Sequence, residues 1–407
     1  MEQTFGAVLS GLRKEREMSL RELGHRTTFS HVYLWQIERG EKRPTVRVAE
    51  ACDRELRAGG ELLALLSPPA GTLELPNATG QDAWPAGQAE RSTVTGFGGL
   101  VGPVGDEQGW DAEPPEPDSL ARSLWDVRAR FERLYRETGG VSVRPRLNEF
   151  LRTRAMPLLD RSDIRPDALA AIAAIQALAA ACAHDCLDRP AAEPHARFAL
   201  LLAQRSARLP IIGYALSVRA RFELWVGRPD GADEHVERAL SMRRHFDPAL
   251  LSDLYCLRAE TCVRHGEVQV ARDALVDAAR QVELIDVERR PEETRYLMPG
   301  SLEVRRAEVL RRAGDLDGAL AYARAALVLG SGGYPRGRAH ASTVYARVLA
   351  DRGDLPGAAQ AGRAALEVAA AMESRLLPRR LVAIGRACAG VDPALLPQAE
   401  RLLSWLV

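Results

Sequence analysis

Arg39, Lys42, Arg43 and Arg47 fall within nine positions, directly after a predicted helix, and offer fixed positive charge to an anion such as phosphate. A solvated helix end has the same composition, so the cluster needs a scaffold before it means more. Two other chemistries fail on spacing. Cys182 and Cys186 share one helical face, and Cys256, Cys262 and His265 follow, but no second Cys pair stands at zinc-finger spacing. The six cysteines read as small buried thiols of a reduced chain, and neither a metal nor a cofactor is expected. No phosphate loop, His-Glu-x-x-His or Gly-x-Ser-x-Gly elbow occurs, so no catalytic residue is expected and the chain does not read as an enzyme.

Charge is distributed unevenly along the 407 residues. The whole chain balances 55 Lys+Arg against 55 Asp+Glu. Residues 67–118 hold eight prolines, nine glycines, nine acids and one base, a net of −8. Such a stretch buries too little apolar surface to offset its ordering entropy and reads as a disordered linker, whose charge would shield the basic cluster. The first 48 residues carry a surplus of three positive charges. Positive charge is almost all Arg, Lys14 and Lys42 being the only lysines, the usage of a GC-rich bacterial genome. No secretory signal opens the chain, and the longest uncharged stretch, 168–183, is shorter than the ~20 residues of a membrane span, which points to a cytoplasmic protein.

The elements that position the basic cluster are legible. Phe5, Val8, Leu9 and Leu12 recur at helical spacing. Ser19 and Glu22 form a capping box for a short second helix with Leu23 inward, and Gly24 permits a close crossing. Ser30 caps a third helix, with Leu34 and Ile37 inward and Gly40 as its stop. Val46, Val48, Ala49, Leu56, Leu62, Leu63, Leu65 and Leu66 suit two closing helices. Two short helices joined by a tight turn, with a basic exit, describe a helix-turn-helix. Residues 12–23 (LRKEREMSLREL) and 29–44 (FSHVYLWQIERGEKRP) resemble the XRE family of phage repressor and Cro-like regulators. Leu20, Thr28 and Trp35 depart from it, standing where Gln, Gly and a smaller residue are usual.

That resemblance implies that the helix after Ser30 enters the major groove of double-stranded DNA. Ser30, His31, Val32 and Gln36 would then meet base edges: Gln36 an adenine, His31 a guanine, Val32 a thymine methyl. Tyr33, Arg39, Lys42 and Arg43 would contact phosphates. So small an interface implies a homodimer on half-sites about 34 Å apart.

From residue 119 the pattern is helical throughout. Gly227, Gly266, Gly314 and Gly353 each have Ala seven residues before (Ala220, Ala259, Ala307, Ala346), five after (Ala232, Ala271, Ala319, Ala358) and twelve after (Ala239, Ala278, Ala326, Ala365). Spacings of 39, 48 and 39 mark helical hairpins with variable loops. Amphipathic stretches near 125–135, 147–159, 167–187 and 195–208 read as degenerate units, and 393–406 as a cap. Residues 307–319 (AEVLRRAGDLDGA) and 346–358 (ARVLADRGDLPGA) resemble tetratricopeptide repeats. By that resemblance the first helix of each pair lines a concave face. Tyr214, Ser217, Arg221, Asp253, Glu260, Glu308, Arg311, His340, Thr343 and Arg347 would then form a groove for a peptide, small-molecule or protein ligand.

The expected protein is all-α, with a five-helix helix-turn-helix domain (1–66), an acidic linker (67–118) and a tetratricopeptide-like α-solenoid (119–407) that senses or dimerises. The combination resembles the peptide-responsive transcriptional regulators of Gram-positive bacteria. A repeat-based protein-interaction scaffold with incidental DNA contact, and a regulator without ligand, are the alternatives.

Overall fold

A computed structural model describes residues 4–27, 29–40, 42, 44, 46–65, 117–286, 288–297, 300–330 and 333–405. Among them the protein is all-helical. The acidic segment, from 67 to its last residues, lies outside this set. Helix begins again at Pro117, two residues inside the stretch expected to be linker.

The N-terminal unit has α1 (Phe5–Glu15), α2 (Leu20–Thr27), α3 (His31–Glu38), α4 (Val46–Glu55) and α5 (Glu61–Ala64). Leu9, Leu23, Leu34, Ile37, Leu56 and Leu62 close its core. Ser19 Oγ accepts from the Glu22 amide at 3.1 Å, but Glu22 turns outward to Arg26 instead of returning to the cap. Half of the expected capping box therefore forms, because the i,i+4 arginine competes for the same carboxylate. Gly24 sits where a Cβ would come within 2.7 Å of the Phe29 carbonyl. Asp53 accepts from the Gly60 (2.6 Å) and Leu62 (2.9 Å) amides and so starts α5.

The second unit stacks helical hairpins: α6 (Pro117–Thr138) with α7 (Gly140–Phe150), α8 (Pro166–Asp185) with α9 (Arg189–Ser206), α10 (Leu209–Trp225) with α11 (Pro229–Leu240), and α12 (Pro248–Arg264) with α13 (Val268–Val282). There follow α14 (Ser301–Arg312) with α15 (Leu316–Gly330), α16 (Pro335–Asp351) with α17 (Leu355–Ala370), and α18 (Leu376–Ala387) with α19 (Leu395–Trp405). Proline opens many of these helices, where its missing N–H has no partner to lose. α7 starts earlier than its apolar pattern suggests and runs on through a wide turn over Leu151–Ala155. α8 is long and apolar enough to cross a membrane, yet most of it is buried inside the array.

All twelve phased alanines are at most 1% exposed, so each hairpin crosses its partners on methyl groups. The four phased glycines adopt φ between 81° and 85°, a conformation that admits Gly without penalty. A fifth copy of the phase stands at α8–α9, with Ala180, Ala192 and Ala199 in register and Leu187 in the glycine position at φ 59°. Leu187→Gly is expected to stabilise the array by about 0.5–1 kcal/mol, raising its melting midpoint by roughly 2 °C. Gly314→Leu, with open space around its Cβ position, should lower it by the backbone term alone. A Leu187→Gly variant that melts lower would show that its side chain, not its backbone, matters.

The array closes on itself. The Val141 amide donates to Glu373 O (3.0 Å) and the Glu373 amide to Thr138 O (2.6 Å). Gly139, at φ 102°, would place a Cβ 2.5 Å from that Glu373 carbonyl. Asp185, fully buried, accepts from Gly140 N (2.8 Å), Ser374 Oγ (3.0 Å) and Arg336 (2.9 Å), tying α7 and α8 to α16 and the start of α18. α6 packs on α8, α7 and α16. The extra residues of the 48-residue spacing turn inward, where Glu292 O accepts from Arg128 (3.1 Å) and Arg295 O from Arg136 (2.9 Å).

Candidate functional site

α3 is held from behind by three contacts. Leu34 and Ile37 face the core. Gly6 of α1 lies where a Cβ would meet the Ile37 carbonyl at 2.4 Å. Arg13 grips Glu38 with two parallel bonds (Nε–Oε1 2.7 Å, Nη2–Oε2 2.9 Å) and donates its third nitrogen to Met18 O (2.9 Å). That hydrogen bonding to Glu38 raises Arg13 above its ordinary pKa. Neither Arg13 nor Gly6 is singled out by the sequence pattern.

The outward face of α3 carries the residues expected there. His31 and Val32 are exposed, and Gln36 and Tyr33 half-buried. Ser30 is exposed, but its Oγ accepts from the Val32 amide (3.3 Å), so its acceptor is committed to the cap. Trp35, 42% exposed, stands on the same face, where its bulk departs from the XRE pattern, beside Val32 (50% exposed) and Arg39. The Arg39 guanidinium stacks over the Trp35 ring at 4.8 Å. Lys42 Nζ lies 5.6 Å from the Tyr33 ring centre, and its amide bonds back to Gln36 O (3.2 Å). Arg39 and Lys42 are thus folded beside the helix. Arg43 lies outside the described residues. The arrangement offers donors, an acceptor, two apolar contacts and two cations on one strip, the set that base edges and phosphates call for.

Most of the residues expected to line an open groove pair with one another or with neighbouring side chains, and Arg347 is exposed. Tyr214, Ser217, Asp253 and Thr343 are buried and unavailable to an incoming peptide in this arrangement. Arg221 bonds Ser217 (3.0 Å) and Asp253 across two units, and Tyr296 donates to Asp253 at 2.5 Å. Tyr296 belongs to the inward-turned loop and packs on Tyr214 at 5.3 Å between ring centres. Thr343 returns its hydroxyl to Ala339 O (2.6 Å). Arg311 pairs with Asp351 (2.7 Å), Glu260 with Arg312 (3.1 Å), and Glu308 with Arg380 (3.7 Å). Burial alone would raise Glu308, yet Arg380, Arg312, Arg311 and Arg347 hold its carboxyl below the usual range. His340 accepts from Arg380 at 2.5 Å. Burial and the charges of Arg380, Arg336 and Arg305 push its pKa well down. Hairpin register fixes which side chains face inward, while contacts between distant helices decide how far that side is covered.

All six cysteines are free and buried. Among the described residues no three His, Cys, Asp or Glu side chains gather as a metal set.

Residues 4–66 match a family model described as a helix-turn-helix domain (HTH_31), and the N-terminal unit is such a domain. No curated protein matches the chain. Among solved structures, a chain from the crystal structure of the APC/C hetero-tetramer Cut9–Hcn1 is similar over 69% of this chain and 55% of that one, with 14% identity and a TM-score of 0.29.

Proposed function

We propose that this chain, a helix-turn-helix domain followed by helical-hairpin repeats, is a sequence-specific DNA-binding transcriptional regulator whose repeat array senses a ligand or pairs two copies. The observation that carries the reading is the division of α3. Its inner face is locked to α1 by Leu34, Ile37 and the Arg13–Glu38 pair, while His31, Val32, Trp35, Gln36, Arg39 and Lys42 stand outward. A helix fixed so firmly, with polar and cationic side chains on its outward face, suits insertion into a major groove. Two copies would place their helices about one DNA turn apart, ~34 Å. Working on DNA places the protein in the compartment of the genome, and the reading involves no catalysis.

The test is binding to duplexes from the gene's own upstream region. His31→Ala with Gln36→Ala is expected to weaken the best duplex by about 1–3 kcal/mol per lost base contact while sparing non-specific binding. Arg39→Ala should weaken all duplexes alike and reduce the salt slope by about one. Unchanged affinity in the double variant would remove the recognition-helix assignment.

A further inference from the structure

A cavity of about 490 Å³ opens where the two ends of the repeat array meet. One wall is a single face of α7, on which Arg144 and Asn148 stand one turn apart. The second is the α8–α9 turn, with Cys186 and Asp188, and the third is Arg375, the residue that opens α18. Backbone bonds hold these walls together: the Val141 amide donates to Glu373 O (3.0 Å) and the Arg375 amide to Asp185 O (3.1 Å). The volume falls within the roughly 300–1,000 Å³ of small-molecule sites.

The polar groups of this lining are unequally satisfied. Asp188 is committed twice, accepting from Arg144 Nη2 (2.8 Å) and from the Ala191 amide (3.0 Å), where it caps α9. Arg375 is half-buried, and among the described residues no carboxylate pairs with it; its Nε has no acceptor. The Asn148 side chain likewise finds no hydrogen-bond partner among them. Burial holds the Cys186 thiol above its ordinary pKa, so it stays neutral. With Arg144 answered by Asp188, the lining keeps one positive charge, and it sits on Arg375. Val141, Pro145, Leu187 and Pro190 supply apolar surface around it.

We propose that this cavity binds a small organic monocarboxylate with an apolar body, its acid group on Arg375 and a hydroxyl or amide on Asn148. A guanidinium fork matches a carboxylate, and a side-chain amide both gives and accepts hydrogen bonds. A phosphate monoester carries close to two negative charges and would exceed the single charge left over. The walls come from both ends of the array, so a bound molecule gains all its contacts only while the ends are closed and favours that arrangement. The proposal gives a ligand class to the sensing role read above, and rests on that reading only for any effect on DNA.

The test is isothermal titration of the full chain in low chloride, without DNA, with N-acetyl-leucine at millimolar concentration as the probe. One saturable site per chain is expected. Replacing the probe by uncharged N-acetyl-leucinamide, or the chain by Arg375→Gln, should each weaken binding at least about tenfold. Asn148→Leu should weaken N-acetyl-leucine several-fold and leave isocaproate, which has no amide, unmoved; a merely structural effect would weaken both alike. Arg280→Gln, on an exposed pair with Asp277, should change nothing. Binding should also slow hydrogen exchange at the Val141 and Arg375 amides, whose bonds cross the seam. No saturable binding, equal binding of the uncharged amide, or indifference to Arg375→Gln in chains of native helicity overturns the proposal. Binding that leaves DNA affinity unmoved keeps the site and removes its sensing role.

Discussion

Asp185→Ala should destabilise the repeat array by about 3 kcal/mol and open the contact between its two ends. The carboxylate is fully buried and serves three donors at once: Arg336, Ser374 Oγ and the Gly140 amide. Its loss leaves a cation short of its counter-charge and two further donors without an acceptor, each about 1 kcal/mol. Arg336 keeps the Tyr135 ring at 4.4 Å and some contact with water, which holds the loss near the lower end of the range for broken buried pairs. Asp185→Asn, which retains one acceptor, should fall between. The double variant Asp185→Ala with Arg336→Met should recover part of the loss, because it removes the stranded charge. Hydrogen exchange at the Val141 and Glu373 amides locates the effect, since both bonds cross the closure. If those amides stay protected in Asp185→Ala while the array melts lower, the carboxylate stabilises α8 but does not hold the ends together.

The sequence discloses most of what repeats at short range and little that depends on closure. The helix-turn-helix core was legible because Leu9, Leu23, Leu34 and Ile37 fall at helical spacing between caps and glycine stops. Four hairpins were legible because glycine marks their turns, and the fifth was hidden by a single residue. Leu187 holds the left-handed position although Ala180, Ala192 and Ala199 keep the phase. Of the expected groove residues, Arg221 and Asp253 meet each other, while Glu308 meets Arg380, a residue that the repeat pattern does not pick out. Ser374 reaches Asp185 across 189 positions, and no local period encodes such a pairing. Arg13 and Glu38 escaped for the same reason on a smaller scale, 25 residues apart and on different helices.

That last pair carries the second large effect. Glu38→Ala should unfold the N-terminal domain near 37 °C and abolish DNA binding while the repeat array remains folded. The pair is nearly buried, with side chains 13% and 9% exposed, and its two parallel bonds are of the strong bidentate kind. Removing Glu38 strands Arg13 beside the Met18 carbonyl alone, a loss of about 3 kcal/mol. A domain of some 60 residues buries only about 60% of its chain surface and has little stability to spare, so this loss is comparable to the whole. Glu38 also sits at the carboxyl end of α3, where the helix dipole disfavours an acid, so only Arg13 makes it favourable there. Arg13→Lys, which keeps the charge but loses the fork, should weaken the domain less. The decisive variant is Arg13→Met with Glu38→Leu. It removes both charges, restores volume, and should bring the domain within about 1 kcal/mol of the parent. Because neither residue lies on the outward strip of His31, Val32, Trp35, Gln36 and Arg39, its DNA affinity should return with its stability. Two-transition melts and duplex titration on the same samples separate the outcomes. A double variant that folds but does not bind would mean the pair sets the angle of α3, not merely the stability beneath it.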